Sequence, residues 1–366
     1  MSVMEQWDTP AVLIDLDVLD RNLRETANRA ARAGVKLRPH TKTHKSVWIA
    51  QEQIRYGASG ITVAKLGEAE TMAEGGIDDI LIAFPVIGAA KLERLGRLME
   101  KAKVTLSTDD VEVARQWSSL GRSLGRDVRL YVDVNTGLNR CGRQPGEETA
   151  ELVKRIAELP YIRVTGLMTH SGHAYGHDAP EAIREAAKRE ADDLVSTKVL
   201  LENDGIAIEE ISVGSTPTSK YVADVAGTGV TEMRPGAYVF GDGGQWKMGL
   251  IGEDECAMTI AATVVGRPRP GTIIVDAGSK TLSSDLSKYH PGYGIVLGHE
   301  GAVIERLSEE HGIVSVPDLD SFRIGETVRI VPNHCCVVTN LHDKLCGVRN
   351  GRFEKWLTVD ARGKVR

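Results

Sequence analysis

The sequence predicts an α/β protein: a TIM-like (β/α)8 barrel over residues 20–245, then a second, mostly antiparallel β domain over 246–366. Three observations carry that expectation. Eight short apolar runs alternate with helical stretches between residues 35 and 240, the rhythm of a parallel sheet with crossover helices. After about residue 250 the helical stretches stop, and strand-like runs follow one another across turn residues. Finally, 366 residues exceed what one hydrophobic core usually serves. An open doubly wound sheet shows the same alternation, and strand counting alone does not separate the two.

In chain order, TPAVLIDLDVL reads first as a strand (9–19) that pairs with the β domain. The barrel runs are VKLRP (35–39), GITVAK (60–65), DILIAF (79–84), KVTLST (103–108), DVRLYVDV (127–134), RVTGLMTH (163–170), IEEISVG (208–214) and VTEMRPGAYVF (230–240). Between them lie stretches of helical composition such as AAKLERLGRLMEKA and PEAIREAAKREADDLVSTKVLLENDG. Gly or Asp marks many of the joins, as helix ends require. The later runs AMTIAATVVGRP, GTIIVDAGS, GAVIERLS, GIVSV, ETVRIVP and GRFEKWLTVDARG lack any long helical stretch between them, which predicts antiparallel pairing.

A net charge of −6 argues against a general nucleic-acid or anionic-membrane surface. No stretch approaches the roughly 20 apolar residues a membrane span needs. The opening MSVMEQWDTP has acidic residues and no apolar core, unlike a secretory signal. Cys141, Cys256, Cys335, Cys336 and Cys346 are too few and too irregular for a disulfide scaffold. The expected setting is a reducing cytoplasm, with a small molecule as partner.

In a parallel barrel, chemistry gathers at the C-terminal ends of the strands. Lys42 follows the first run in RPHTKTHKS, between His40 and His44. It is either part of a solvated loop or a Schiff-base lysine. Asn135 and Arg140 follow the fifth run, and His170 and His173 the sixth. Arg140 suits an anionic oxygen. In THSGHAYGH, His170, His173 and His177 are open to metal binding, ring stacking or acid/base work. Gly214, Ser215 and Thr216 follow the seventh run; with Gly236 and Tyr238 of RPGAY they make either turns or a phosphate cradle. In NHCC, an extended chain would point His334 and Cys336 to one side and Cys335 to the other. That pair suits zinc with water or substrate completing the shell; the alternative is a buried cysteine beside a surface histidine.

Taken together, RPHTKTHK, VDVNTGLNRCG, GLMTHSGHAYGH, GSTPT, VTEMRPGAYVF, VDAGSK, SEEHG and PNHCCVVTNLHD resemble, in order, the metal-activated fold-type III pyridoxal-phosphate enzymes: D-threonine aldolase, D-serine dehydratase and their alanine-racemase-like relatives. The resemblance spans about residues 9 to 360. It implies an alanine-racemase-like barrel plus a β domain in a homodimer, with D-amino acids as substrates. It also implies that Lys42 forms the Schiff base and moves the α-proton, with His40 and His44 shaping its pocket. By the same resemblance Arg140 meets the cofactor's phenolic oxygen and Arg234 the pyridine nitrogen. Gly214, Ser215, Thr216, Gly236 and Tyr238 match the phosphate-binding loops, and His334 and Cys336 the metal pair. His170 joins the cofactor-binding set, and His173 and Tyr175 are the candidates to assist Lys42. Tyr175, His177, Asp285 and His311 are candidates for the substrate pocket.

Two reactions then compete. Loss of the α-proton followed by the β-hydroxyl gives a 2-oxo acid and ammonia, as in dehydratases of D-serine, D-threonine or 3-hydroxy-D-aspartate. Loss of the hydroxyl proton breaks Cα–Cβ and gives glycine and an aldehyde, as in D-threonine aldolase. In this family the aldolases pair His-x-Asp with manganese or magnesium and the dehydratases His-x-Cys with zinc, so NHCC points to a dehydratase. A racemase would leave NHCC without a use, a non-catalytic pyridoxal-phosphate carrier would lack the β domain, and a plain zinc hydrolase would leave Lys42 idle.

Overall fold

The computed structural model describes residues 8–177 and 179–366. The chain divides into two units. One comprises Glu25–Lys42, Ile49–Gly236 and Gly363–Arg366; the other comprises the chain up to Arg24, Thr43–Trp48 and Ala237–Arg362. In chain order the strands begin with β1 (Ala11–Asp15), β2 (Lys36–Leu37), β3 (Ile61–Val63), β4 (Asp79–Ile82), β5 (Lys103–Thr108) and β6 (Val128–Asp133). Next come β7 (Ile162–Met168), β8 (Glu210–Val213), β9 (Glu232–Met233), β10 (Met258–Arg269), β11 (Thr272–Val275) and β12 (Ile295–Val296). The last are β13 (Val303–Leu307), β14 (Gly312–Ser315), β15 (Thr327–Val331), β16 (Lys344–Arg349) and β17 (Arg352–Thr358).

In the first unit, eight strands pair in the order β2-β9-β8-β7-β6-β5-β4-β3, each pair parallel. Beyond β2 the chain stays extended, and a parallel bridge from His40 to Thr62 joins the two ends of this sheet. The Thr62 N–H donates to the Pro39 carbonyl at 2.8 Å across that seam. The ring is therefore a barrel and not an open sheet. Ile61–Val63, Ile80–Ile82 and Ile211–Val213 are buried along their length, as strands covered on both faces must be. Each Ile, Leu or Val side chain among them contributes roughly 1.5–3 kcal/mol by leaving water. The last run, 230–240, is extended only at Glu232–Met233; Pro235 follows, and Ala237–Val239 is a 3₁₀ turn.

The barrel also holds a buried ionic chain. Arg38 donates to Asp79 Oδ1 and to Glu232 Oε2, both at 2.6 Å. Glu232 accepts the Ser212 hydroxyl at 2.5 Å, and Ser212 accepts from Arg234 Nη1 at 2.5 Å. Arg234 Nη2 donates to the Thr169 carbonyl. Burial acts to lower the Arg38 pKa, but Glu232 and Asp79 together raise it.

In the second unit the strands run β11-β14-β13-β12-β15-β10-β1-β16-β17, and a further β10–β11 pairing closes the first six into a ring. All pairs are antiparallel except β1 with β16. The reading of 9–19 as one strand is corrected: only Ala11–Asp15 is extended. The Asp15 carboxylate accepts the N–H groups of Asp17 and Val18 at 3.0 and 3.1 Å and starts the helix Leu16–Ala33.

Candidate functional site

After β2 the chain passes His40 and enters one turn of 3₁₀ helix, Thr41–Thr43, with Lys42 at its centre. Lys42 is half-buried there, and its N–H donates to His40 Nδ1 at 3.4 Å. The solvated-loop reading is thereby replaced by a fixed turn at a strand end. His44 is fully buried and accepts the Ser46 N–H on Nδ1 at 3.1 Å.

Two imidazoles report the charge around Lys42. His40 is held well below the usual histidine range by burial, then by Lys42, His170, Arg234 and Arg140. His170 is pushed down to about 3 by burial, then by Lys42, Arg140 and Arg234. Both are therefore neutral at physiological pH, and both feel the same three cations. Lys42, Arg140 and Arg234 follow β2, β6 and β9, so the ring geometry brings together residues that lie far apart in sequence. Arg140 is carried on a loop folded around Asn135, whose Oδ1 accepts the N–H groups of Gly137 and Asn139 at 3.1 and 3.0 Å. Arg140, His170, Thr169 and Asp133 line one small cavity. Burial pushes Asp133 up to about 6 against the pull of Arg234. A larger cleft lies at the opposite, N-terminal edge of β4–β6, lined by Asp78, Lys103, Arg126 and Arg129, and holds none of the predicted residues.

The Gly214–Thr216 segment follows β8. Gly214 has a φ of +107°, a conformation L side chains rarely adopt, and its carbonyl lies 3.4 Å from His170 Nδ1. Ser215 and Thr216 are buried. The Ser215 N–H donates to Thr218 Oγ1 at 3.1 Å, and the Gly236 N–H donates to Thr216 Oγ1 at 3.2 Å, which joins the two predicted loops. Tyr238 is buried in the Ala237–Val239 turn, which belongs to the other unit.

His173 and Tyr175 lie in the turn Gly172–Gly176 and are both half-buried. The three histidines of this stretch separate: His170 faces Gly214, while His173 and His177 meet edge-on at 5.8 Å. His173 Nδ1 is buried without a hydrogen-bond partner, and burial, then His177 and Arg189, lower its pKa. Among the described residues no three His, Cys, Asp or Glu side chains form a metal-holding group.

In the second unit, the extended reading of NHCC is corrected. His334 has extended backbone, but it caps the helix Cys335–Leu341, so Cys336 lies in the first helical turn. The His334 side chain makes no capping bond to that turn's backbone; it interacts instead with the Cys336 side chain. Cys335 is fully buried. Hydrogen bonding to Cys336 raises His334 to about 10, and hydrogen bonds from Cys335 and His334 hold the Cys336 thiol well below its usual range. Each of the two thus favours the charged form of the other. Cys336 Sγ lies 3.2 Å from the Thr43 hydroxyl; Thr43 is the residue after Lys42. Asp285, a predicted pocket residue, instead meets His334 Nδ1 at 3.0 Å. His311 is exposed, and its carbonyl accepts the Ser308 N–H at 2.9 Å.

Three acidic residues around Arg234 in the barrel unit escaped the sequence analysis: Asp133, Glu190 and Glu232. Glu190 had a legible signal. It occupies the buried face of the helix Pro180–Asn203 with Ile183, Ala186, Ala187 and Leu194, where a carboxylate is out of place unless it has partners.

Residues 14–243 match the family "Alanine racemase, N-terminal domain", and residues 257–348 match "Putative serine dehydratase domain". The chain is 33% identical to D-threonine aldolase from Arthrobacter sp. over 361 residues, covering 97% of this chain and 93% of that one. It is 35% identical over 349 residues to D-threo-3-hydroxyaspartate dehydratase from Delftia sp. strain HT23, covering 90% and 91%. The crystal structure of D-threonine aldolase from Filomicrobium marinum superposes with a TM-score of 0.91 at 32% identity, covering 98% of this chain and 97% of that one. The chain belongs to the alanine-racemase-like, fold-type III pyridoxal-phosphate enzymes that include these aldolases and dehydratases.

Proposed function

We propose that this pyridoxal-phosphate-dependent lyase is a metal-activated dehydratase of D-β-hydroxy-α-amino acids such as D-serine, D-threonine or 3-hydroxy-D-aspartate. The observation that carries the reading is the convergence of Lys42, Arg140 and Arg234 on two neutral imidazoles. Three cations set beside neutral rings fit a cofactor bearing a phosphate and a phenolate. The Cys336 thiolate and the His334 ring, once the metal displaces its proton, fit a soft divalent metal.

When bound, pyridoxal phosphate supplies the electron sink that acidifies Cα, and a divalent metal supplies a Lewis acid for the β-hydroxyl. The protein does the rest. Lys42 binds the cofactor through its amine and takes the proton from Cα. Arg140 orients the phenolic oxygen and Arg234 the pyridine nitrogen, while Gly214, Ser215, Thr216, Gly236 and Tyr238 receive the phosphate. Neutral His170 packs in the same group without adding charge, and His173 and Tyr175 assist Lys42. His334 and Cys336 hold the metal, zinc in preference to manganese or magnesium. The products are a 2-oxo acid and ammonia. The working form is a cytoplasmic homodimer, and the domains fall at 20–245 and 246–366, with the N-terminal strand joined to the second.

A D-threonine aldolase is the second reading, favoured by the 33% identity to that enzyme. Incubation with D-threonine, pyridoxal phosphate and zinc or manganese separates the two. The expected products are 2-oxobutyrate and ammonia; glycine and acetaldehyde would replace the dehydratase with the aldolase.

A further inference from the structure

Glu190 has no part in the function described above, yet it is buried at the junction of two of its segments. It is 2% exposed. The Ser171 hydroxyl donates to its Oε2, the Gly214 N–H donates to the same oxygen at 3.2 Å, and the Thr218 side chain hydrogen-bonds it as well. Ser171 is the residue after His170. One carboxyl group therefore ties the segment beside the cofactor ring to the segment assigned to its phosphate.

We infer that Glu190 is the positioning residue of the phosphate segment, and that it takes up one proton from solvent when a phosphate ester binds there. This rests on the cofactor reading given under Proposed function. The geometry supplies a route for the effect. An ionised carboxylate only accepts, so the Thr218 hydroxyl hydrogen is committed to it. A protonated Glu190 donates to Thr218 Oγ1 instead, which turns the Thr218 hydrogen outward. Ser215 Oγ lies 3.3 Å away to receive it, and the Ser215 hydrogen is then available to an anion.

Charge favours the same change. Arg234 from β9 is the cation facing Glu190, and His170, beside Ser171, is held neutral. Burial pushes Glu190 up to about 7, against the lowering by Ser171, Thr218, Gly214 and Arg234. A dianionic phosphate at Gly214–Thr216 adds like charge and competes for Arg234, so the neutral carboxyl wins. The change at Glu190 is formation of one carboxyl O–H bond with a solvent proton.

The test is calorimetric titration of the full chain, stripped of bound cofactor with hydroxylamine, at pH 8 in two phosphate-free buffers of different ionisation enthalpy. The ligands are pyridoxine 5′-phosphate, whose phosphate is already largely dianionic at that pH, and pyridoxine. Neither forms a bond to Lys42, and they share the pyridine ring, so the difference between them reads the phosphate. The wild type should take up close to one more proton with the ester than with pyridoxine, and its affinity for the ester should fall approaching tenfold per pH unit between pH 7 and 9. Glu190→Gln, which keeps a donor toward Thr218, should remove both effects. Equal proton counts for the two ligands in the wild type would overturn the inference without any variant. A Glu190→Gln protein that loses affinity equally at every pH, with its proton count unchanged, would show a purely structural role and overturn it too. An ester that binds no more tightly than pyridoxine would instead sink the assignment of the phosphate segment, and this inference with it.

Discussion

The two polar centres of this protein are built in opposite ways. In the barrel unit, Lys42, Arg140 and Arg234 come from three strand ends, and a chain behind Arg234 runs back through Ser212 to Glu232, Arg38 and Asp79. The rings between them are neutral. In the β unit, His334 and Cys336 lie two residues apart on one helix start and carry opposite charges set chiefly by each other and by Cys335. The first centre is a property of the fold; the second is set mainly within a tetrapeptide, with Thr43 and Asp285 at its edge. The first should therefore resist local change except at its reacting group, and the second should fail whenever either partner is altered.

Lys42→Ala tests that contrast most severely. Activity should fall by about 10³-fold or more, and the cofactor's visible absorption band should disappear; activity retained without the band would remove Lys42 from the reaction. Cys336→Ala should lose metal, read by elemental analysis, and about 10²–10³-fold of activity with it. The cofactor band should stay, because the barrel unit carries it, and loss of both together would erase the distinction between the centres. Glu232→Gln cuts the ionic chain behind Arg234 while leaving two arginines buried. Denaturant unfolding should show a loss of about 3 kcal/mol, and a change under about 1 kcal/mol would mean the chain contributes little to stability. The smallest effect is expected for Asp285→Asn. Metal affinity, measured by competition with a chelator, should weaken about 10-fold to 100-fold with the cofactor band unchanged; unaltered affinity would make the Asp285–His334 contact incidental.

Much of the barrel was legible because its strands are apolar and evenly spaced. All eight runs overlap a strand of the ring. In the β unit, β12 and β16 were missed. The first is two residues long, and the second is broken in appearance by Gly347, where an added Cβ would approach the Lys355 carbonyl to 3.0 Å. Sequence also singled out Lys42, Arg140, His170 and Arg234, which stand where strands end. It did not show that His40 and His170 stay neutral, because that depends on cations contributed by distant strands. It misjudged NHCC because four residues carry no reliable period, and the following Val337–Leu341 extends the segment as a helix. Asp133 and Glu232 looked like ordinary strand-end polar residues until the ring turned them inward.

The division of the chain has a consequence for how such a protein can be taken apart. Neither unit is one continuous stretch: the backbone passes between them at Arg24–Glu25, Lys42–Thr43, Trp48–Ile49, Gly236–Ala237 and Arg362–Gly363. The first passage lies inside the helix Leu16–Ala33, and the second is the peptide bond that joins Lys42 to Thr43. Recombining one unit with its counterpart from a relative would thus need five seams, two of them through helices (Leu16–Ala33 and Val47–Arg55) and one beside Lys42. A single genetic crossover cannot exchange the two as modules, so parental combinations should be inherited, and should be shuffled in the laboratory, as an inseparable pair.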